Sequence, residues 1–241
     1  MRSLDVLIDE AERTEPTRGF AQALVGSSQL AVVAEIKRRS PLRGDLDAGL
    51  DPADLAVTYA RGGAACLSVL TDGDFFGGSV DDLQAARRAV ALPVLRKDFT
   101  VAAHDIADAR LMGADAVLLI AAALDPAELI ELHRLAVGLG LDVLVEIHDE
   151  PELEVAVEAG ATLVGVNQRD LVTFEVDHER AVRMAAAIPD GVVKVAESGV
   201  RGPDDARRLA DAGYDAILVG ETLVTSPDPA GALAALIRRS G

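Results

Sequence analysis

Apolar and polar residues alternate along this chain in eight units, each an apolar strand-like run followed by an amphipathic helical stretch. The predicted strands cover 31–37, 64–70, 93–98, 115–120, 141–147, 162–167, 192–197 and 215–220. Continuous apolar strands separated by helices are typical of a parallel sheet that helices cover. Eight units close a barrel, so the pattern predicts an α/β fold, a single-domain (βα)8 TIM barrel, with a doubly wound open sheet as the alternative.

Proline and glycine mark where the predicted helices begin and end. Four prolines stand at predicted helix starts: Pro52, Pro126, Pro203 and Pro229. A proline is tolerated there because its missing N–H would have no helical partner in the first turn. Four glycines stand at predicted helix ends: Gly63, Gly113, Gly160 and Gly213. Each is placed to adopt the left-handed conformation that stops a helix before the next strand.

The first 30 residues lie outside this alternation. Apolar spacing predicts one helix over 4–13 and a second over 20–25. We therefore expect a short N-terminal helical extension, residues 1–30, followed by a (βα)8 barrel catalytic domain, residues 31–241. The N-terminus lacks the basic start and apolar core of a signal peptide, and no apolar run approaches the roughly 18–20 residues of a membrane span. A cytoplasmic location is expected.

Composition narrows the range of partners. The chain has 40 acidic residues and a net charge of −17, which disfavours nucleic acid or an anionic membrane surface. Cys66 is the single cysteine, so no disulfide framework is expected, as in a reducing cytosol. The histidines are His104, His133, His148 and His178. No two share metal-ligand spacing, so each is interpreted as a helix-surface residue and no metal is predicted.

Charged residues end alternate strands. The odd-numbered strands end with Glu35 and Lys37, Lys97, Glu146, and Glu197, whereas the even-numbered ones end apolar or neutral. Alternate strands of a (βα)8 barrel contribute side chains to shared layers, and the catalytic groups lie at the carboxyl ends of the strands. Ionised groups within apolar sequence are costly to bury unless they are paired. We therefore expect these charges to meet over the barrel mouth, rather than simply to begin solvated loops.

Lys97 is the first candidate for an acid catalyst. Only three lysines, Lys37, Lys97 and Lys194, stand among the 23 lysine and arginine residues. An ammonium can release a proton, whereas a guanidinium in practice cannot, so a lysine at a strand end indicates proton donation. Lys194 lies three residues before Glu197 and should therefore face the helices.

Two glycine turns after the last two strands predict an anion site. Glu197-Ser198-Gly199 follows the seventh strand, and Gly220-Glu221-Thr222 follows the eighth. Glycines let backbone N–H groups approach an anion, and a short helix opening at Glu221 would add its positive end. These turns occupy the usual phosphate position of (βα)8 enzymes.

Aromatic residues make up only 3% of the chain, yet four of them fall in loops after strands. They are Phe75, Phe76, Phe99 and Phe174. Such a cluster at one rim suits a flat aromatic ligand, although rings packing on neighbouring loops would give the same pattern.

Six segments carry the pattern of a known family, in the family's order. They are 34–41, 68–72 with Phe75 and Phe76, 95–99, 145–146, 166–171 and 196–199. Together they resemble the indole-3-glycerol phosphate synthases of tryptophan biosynthesis, from about residue 31 to the C-terminus. The resemblance implies a (βα)8 lyase that converts 1-(2-carboxyphenylamino)-1-deoxyribulose 5-phosphate, an anionic aromatic sugar phosphate, to indole-3-glycerol phosphate, CO2 and water. It implies no metal and no organic cofactor, and we expect a monomer or weak homo-oligomer.

The resemblance also implies a role for each site residue. Lys97 would protonate the substrate's ketone oxygen, and Lys37 would pair with the anthranilate carboxylate or share the acid role. Glu146 would assist the dehydration. The other implied roles are orientation of the lysines and substrate binding by Glu35 and Glu197, bonds to substrate oxygens from Asn167, substrate binding by Ser40, Phe76, Arg169 and Ser198, and phosphate binding by Ser198, Gly199, Gly220 and Glu221.

Three features depart from the family's usual pattern. Leu42-Arg43-Gly44 stands where the family often has serine and lysine before the glycine, so only the charge is kept. Asn167-Gln168 stands where many members have two asparagines. Members usually carry a longer segment before the first strand, with a helix that helps cover the active site, so that cover is not assured by the 30 residues present here.

Other functions remain open from the sequence. A strand-end lysine with a depressed pKa would also serve as the nucleophile of a Schiff-base aldolase on the same fold. A non-catalytic or specialised-pathway paralogue would bind the same aromatic phosphate. An isomerase acting on phosphoribosyl anthranilate is a weaker alternative, because it would not need two lysines at the mouth.

Overall fold

Eight parallel strands close into a barrel in the computed structural model of this chain, which describes residues 2–25, 29–170 and 173–237. The strands are β1 Ala31–Ile36, β2 Cys66–Leu70, β3 Val94–Lys97, β4 Ala116–Ile120, β5 Asp142–Ile147, β6 Leu163–Asn167, β7 Val193–Glu197 and β8 Ala216–Val219. Each strand pairs with its neighbours in sequence, and β1 pairs with both β2 and β8. The predicted (βα)8 barrel is confirmed, and the open sheet is wrong because the first and last strands are hydrogen-bonded. Residues 26–28 of the predicted extension and Leu171 of the resembling segment lie outside the described residues.

Helices follow the strands in alternation. The prolines and glycines predicted to mark helix starts and ends do so in the structure. The helices are α1 Leu4–Ala11, α2 Phe20–Leu24, α3 Pro52–Gly62, α4 Val80–Ala89, α5 Ala103–Met112, α6 Pro126–Gly138, α7 Glu150–Glu158, α8 Arg180–Met184, α9 Pro203–Asp211, α10 Glu221–Val224 and α11 Pro229–Ile237. The four prolines each open a helix, and the four glycines have φ between +81° and +96°. Among the described residues, no helix is long and apolar enough to cross a membrane.

The interior of the barrel explains why the charged residues share a layer. Val33, Leu95, Leu144 and Val195 belong to one apolar cluster inside the barrel. Successive side chains of a strand point to opposite faces, so the residue two positions further on points inward again. On the odd-numbered strands that residue is charged in each case. The charged set therefore stands directly above an apolar layer at the carboxyl ends of the strands.

The N-terminal extension closes the opposite end of the barrel. Phe20 and Leu24 of α2 are buried in the same interior cluster as the first residues of the strands. The Arg18 side chain donates to the carbonyl of Leu92 at 2.9 Å, and its backbone N–H donates to Asp115 Oδ1 at 2.8 Å. Within residues 2–25, no side chain lines the cavity at the carboxyl ends. Cover over that cavity comes from the loops after the strands instead.

Candidate active site

A cavity of about 540 Å³ opens at the carboxyl ends of the strands. Every residue that the sequence assigned to the site lines it: Glu35, Lys37, Ser40, Phe76, Lys97, Glu146, Asn167, Arg169, Glu197, Ser198, Gly199, Gly220 and Glu221. The volume is in the range of small-molecule sites. The structure thus brings the whole predicted set together, and the role of each residue stays a prediction.

Lys97 lies between two carboxyl groups. Its Nζ is 3.1 Å from Oε2 of Glu146 and 3.7 Å from Oε2 of Glu197. Burial alone would lower the pKa of Lys97, but the attraction of Glu146, Glu197 and Glu35 outweighs it and holds the pKa above its ordinary value. The site therefore stabilises the ammonium form. The resemblance assigned the orientation of the lysines to Glu35 and Glu197, whereas the nearest carboxylate to Lys97 is that of Glu146.

Glu146 and Glu197 both lie close to this cation, but their pKa values are shifted in opposite directions. Burial would raise the pKa of Glu146, yet Lys97 and a 2.9 Å hydrogen bond from Asn167 Nδ2 lower it overall. Burial and the Glu146 carboxylate raise the pKa of Glu197 to about 8. The surroundings therefore favour the ammonium form of Lys97, the carboxylate form of Glu146 and the carboxylic acid form of Glu197. Titratable groups whose pKa values are driven apart in this way are typical of acid–base sites.

Two glycines make room for the buried carboxyl groups, a role that the sequence analysis missed. A Cβ at Gly165 on β6 would lie 2.0 Å from Glu197 Oε1, and one at Gly220 would lie 2.3 Å from Glu35 Oε1. Glu35 in turn pairs with Lys37 at 2.6 Å. Any side chain at either glycine would have to displace a carboxyl group of the site.

The turn after β7 has an uncommon backbone conformation. Ser198 and Gly199 have φ of +66° and +74°, and a positive φ is uncommon for a residue other than glycine. Gln168 Nε2 donates to the Ser198 carbonyl at 2.7 Å and holds this turn. The second turn continues into α10 at Glu221, as the sequence predicted. Both turns line the same cavity.

Aromatic residues reach the cavity from three loops. Phe76, Phe99 and Phe174 are among its lining residues, whereas Phe75 is 56% exposed and does not line it. The cavity therefore includes three of the four aromatic residues from which an aromatic ligand was inferred.

The prediction for Lys194 is confirmed, and that for the histidines is wrong in three cases. Lys194 Nζ donates to the Ala185 carbonyl at 2.8 Å, outside the barrel. His133 is buried in α6, and His148 and His178 lie in loops. His178 lines the cavity, where its ring packs against Gly199. The rule that selected the loops after strands would have found it, since His178 lies between β6 and α8.

The comparison with known proteins spans almost the whole chain. Residues 2–236 match the family model described as Indole-3-glycerol phosphate synthase. This chain belongs to that family. Three relatives that carry the family name come from Nocardioides sp. (55% identical over 227 residues, 94% of this chain and 85% of the relative), Parafrankia sp. (52% over 235 residues, 98% and 87%) and Bordetella pertussis (47% over 240 residues, 98% and 92%).

A more distant solved structure shares the fold alone. Thiamine phosphate pyrophosphorylase from Pyrococcus furiosus matches with a TM-score of 0.64 at 17% identity, over 86% of this chain and 93% of that one. The region matched to the indole-3-glycerol phosphate synthase family includes every residue that lines the cavity.

Proposed function

We propose that this chain is an indole-3-glycerol phosphate synthase, a carboxy-lyase of tryptophan biosynthesis. It closes the indole ring of 1-(2-carboxyphenylamino)-1-deoxyribulose 5-phosphate with loss of CO2 and water. The observation that carries the proposal is Lys97, held as an ammonium beside Glu146 and Glu197 in the cavity. Membership of the family indicates which reaction is catalysed, and the arrangement of charges around Lys97 suggests how the protein catalyses it.

The substrate has a carboxylate, an aromatic ring and a phosphate, and the cavity offers different groups to each. Lys37, which pairs with Glu35, is assigned to the substrate carboxylate, and Phe76 is assigned to the aromatic ring. Backbone N–H groups of the two glycine turns are assigned to the phosphate, through Ser198, Gly199 and Gly220. Further binding roles are assigned to Ser40, Arg169, Asn167 and Glu221.

Ring closure is the step that needs the ammonium. The aromatic carbon that bears the carboxylate attacks the ketone carbon, and the ketone oxygen gains alkoxide character as the new carbon–carbon bond forms. Lys97 donates its proton to that oxygen, which becomes a hydroxyl group. The bond to the carboxylate then breaks, CO2 leaves, and the released electron pair restores the aromatic ring.

Dehydration completes the indole, and we assign its proton transfers to Glu146. The Glu146 carboxylate takes a proton from the neighbouring CH2 and passes it to the hydroxyl group, which leaves as water as the carbon–carbon double bond forms. Once Lys97 has given up its proton, the attraction that lowers the pKa of Glu146 is gone, so Glu146 becomes a better proton acceptor. Its oxygen lies 3.1 Å from Lys97 Nζ, within reach of proton exchange. These steps use no metal and no organic cofactor.

The aldolase alternative requires a different state of Lys97. A Schiff base forms from the neutral amine, which a depressed pKa would favour. The carboxylates around Lys97 have the opposite effect and favour the ammonium. Borohydride treatment in the presence of a keto-phosphate should therefore trap no adduct at Lys97, and a trapped adduct would support the aldolase.

We further propose a cytoplasmic monomer or weak homo-oligomer that binds no nucleic acid. One chain supplies the whole candidate set of side chains, and its net charge of −17 repels polyanions. We also propose that residues 1–30 form an extension to a catalytic domain of residues 31–241. Light scattering across a concentration series tests the assembly state.

Turnover tests the function directly. The wild-type protein should convert the carboxyphenylamino substrate to a product with indole fluorescence. Lys97→Ala should lower kcat by about 10²–10⁴-fold, the usual contribution of a general acid. Lys194→Ala is the matched control, because this lysine lies outside the barrel, and it should keep full activity. No indole signal from the wild type would overturn the proposed function and leave the non-catalytic paralogue. A fully active Lys97→Ala would overturn the acid role of Lys97.

A further inference from the structure

A short hairpin after β1 brings an arginine to the cavity. Its strands are Arg39–Ser40 and Gly44–Asp45, and residues 41–43 form the tip. Ser40 Oγ accepts a hydrogen bond from the backbone N–H of Arg43 at 3.2 Å, which fixes the tip. The Arg43 side chain lines the cavity together with the two glycine turns.

The base of this hairpin is held firmly. Arg38, just before it, forms an ion pair with Asp82 on α4 and donates to the Leu50 carbonyl at 3.1 Å. The Arg38 carbonyl accepts from the backbone N–H of Leu46 at 2.8 Å, on the other side of the hairpin. The tip is therefore positioned by contacts outside the cavity.

From this tip, Arg43 reaches across to the turn after β8. Its Nε lies 2.9 Å from Oε1 of Glu221, and the two side chains are 64% and 30% exposed. Ion pairs with this exposure contribute little to stability. The position of the pair matters more, because it joins the hairpin to the turn that is assigned to the phosphate.

Glu221 creates an electrostatic problem that Arg43 solves. A phosphate held by the backbone of this turn would lie beside a carboxylate of the same sign, and like charges repel. Arg43 neutralises that carboxylate through Nε. A guanidinium has five N–H donors in a planar fork. Within the described residues, the Nη groups of Arg43 contact no acceptor, so they are available to donate to an oxyanion.

We propose that Arg43 binds the substrate phosphate and that Glu221 orients the guanidinium through their ion pair. The inference rests on the proposed function, because the anion is the phosphate of that substrate. It also gives a role to Leu42-Arg43-Gly44, where only the charge of the family pattern is kept. An arginine suits this task because its fork can engage a carboxylate and a phosphate together.

Inorganic phosphate tests the contact without turnover. In calorimetric titrations, Arg43→Gln should bind phosphate about 10–100-fold more weakly than the wild type, the loss expected for a charge-assisted hydrogen bond. With the full substrate, KM should rise by a similar factor while kcat stays within a few-fold, because the phosphate is bound alike before and during the reaction. Arg207→Gln is the matched control, since Arg207 is an exposed partner of Asp204 at 2.8 Å and does not line the cavity.

A second variant tests the part played by Glu221. In the Arg43→Gln background the Glu221 carboxylate stands unneutralised beside the phosphate. Adding Glu221→Gln should therefore restore part of the lost affinity, although it removes a further polar contact. Equal phosphate affinity in Arg43→Gln and the wild type would overturn the role of Arg43. No recovery in the double variant would overturn the premise that Arg43 offsets a repulsion between Glu221 and the phosphate. If the wild type binds phosphate through Arg43 but forms no indole product, the proposed function is refuted and the phosphate contact of Arg43 still holds.

Discussion

Replacing Lys97 with methionine should reduce both catalysis and stability, and pH separates the two effects. Methionine keeps an apolar stem but carries no ammonium, so kcat should fall about 10²–10⁴-fold. Stability should fall because the Glu146 side chain, 1% exposed, would become a buried carboxylate without a counterion. Breaking a buried pair by removing one partner is strongly destabilising.

The size of the stability loss follows from the geometry. At 3.1 Å and an effective dielectric constant of about 20, the attraction between Lys97 and Glu146 is about 5 kcal/mol. Glu197 adds less, since it is 3.7 Å away and its pKa is raised to about 8. Part of the loss is offset because the variant no longer buries an ammonium. We expect the free energy of unfolding to fall by about 3–5 kcal/mol at neutral pH.

The loss should grow with pH. In the wild type the pKa of Glu146 is lowered, so the stabilisation from the pair is fully present above the ordinary value of 4.5 and is lost as pH falls through the lowered pKa. In the variant, burial without a cation raises the pKa of Glu146, so the variant loses stability as pH rises from the ordinary value of 4.5. Urea unfolding should therefore show a narrower gap between the two proteins at about pH 5 than at about pH 8.

A double variant separates charge from catalysis. Lys97→Met with Glu146→Gln has no stranded carboxylate, so it should recover most of the stability and lose the pH-dependent gap while remaining inactive. Lys97→Met with kcat within about 10-fold of the wild type would refute the acid role. A stability gap that does not change with pH would refute the ion-pair reasoning.

Three further substitutions probe the surroundings of this pair. Because the pKa of Glu197 is raised to about 8, the wild type should lose stability as pH rises toward that value. Glu197→Gln should remove this loss in urea unfolding, and a variant with the same pH dependence as the wild type would contradict the reasoning. Gly165→Ala places a Cβ 2.0 Å from Glu197 Oε1, so it should cost about 1–3 kcal/mol in urea unfolding and lower kcat, whereas unaltered kinetics would show that the carboxyl position is unimportant. Lys37→Gln should raise KM about 10–100-fold as the partner of the substrate carboxylate is lost, and steady-state kinetics with unchanged KM would exclude that role.

Strand positions and the charged set could be predicted because both depend on a period of two residues. Leu95 and Lys97 point to the same face, as do Leu144 and Glu146, so an apolar run that ends in charge already indicates an inward-facing polar layer. Helix limits were similarly accessible, since proline and glycine act through the conformation of their own residue.

Contacts between distant segments could not be predicted in this way. Neither the Arg43 to Glu221 pair nor the packing of His178 on Gly199 leaves a periodic signal, because each depends on how two loops fold over one cavity. The sequence does not distinguish Gly165 from any other glycine in a strand, because its role depends on the position of the Glu197 side chain. His133 was misjudged because an isolated residue type does not show which side of its helix is buried. His148 and His178 lie in loops after strands, which the rule used for the other loop residues would have found.

Among the described residues, the N-terminal end of the barrel is closed, so the described entrance to the cavity is its mouth. Phe20 and Leu24 stand behind the apolar interior layer and block the rear of the barrel. Substrate, CO2, water and the indole product all have to use the mouth. In its proposed role as the acid, Lys97 would also recover its proton from that side, since the layer beneath it is apolar. If Lys97 acts as proposed, product departure and reprotonation of the lysine share the mouth, and a ligand that stays bound there delays both.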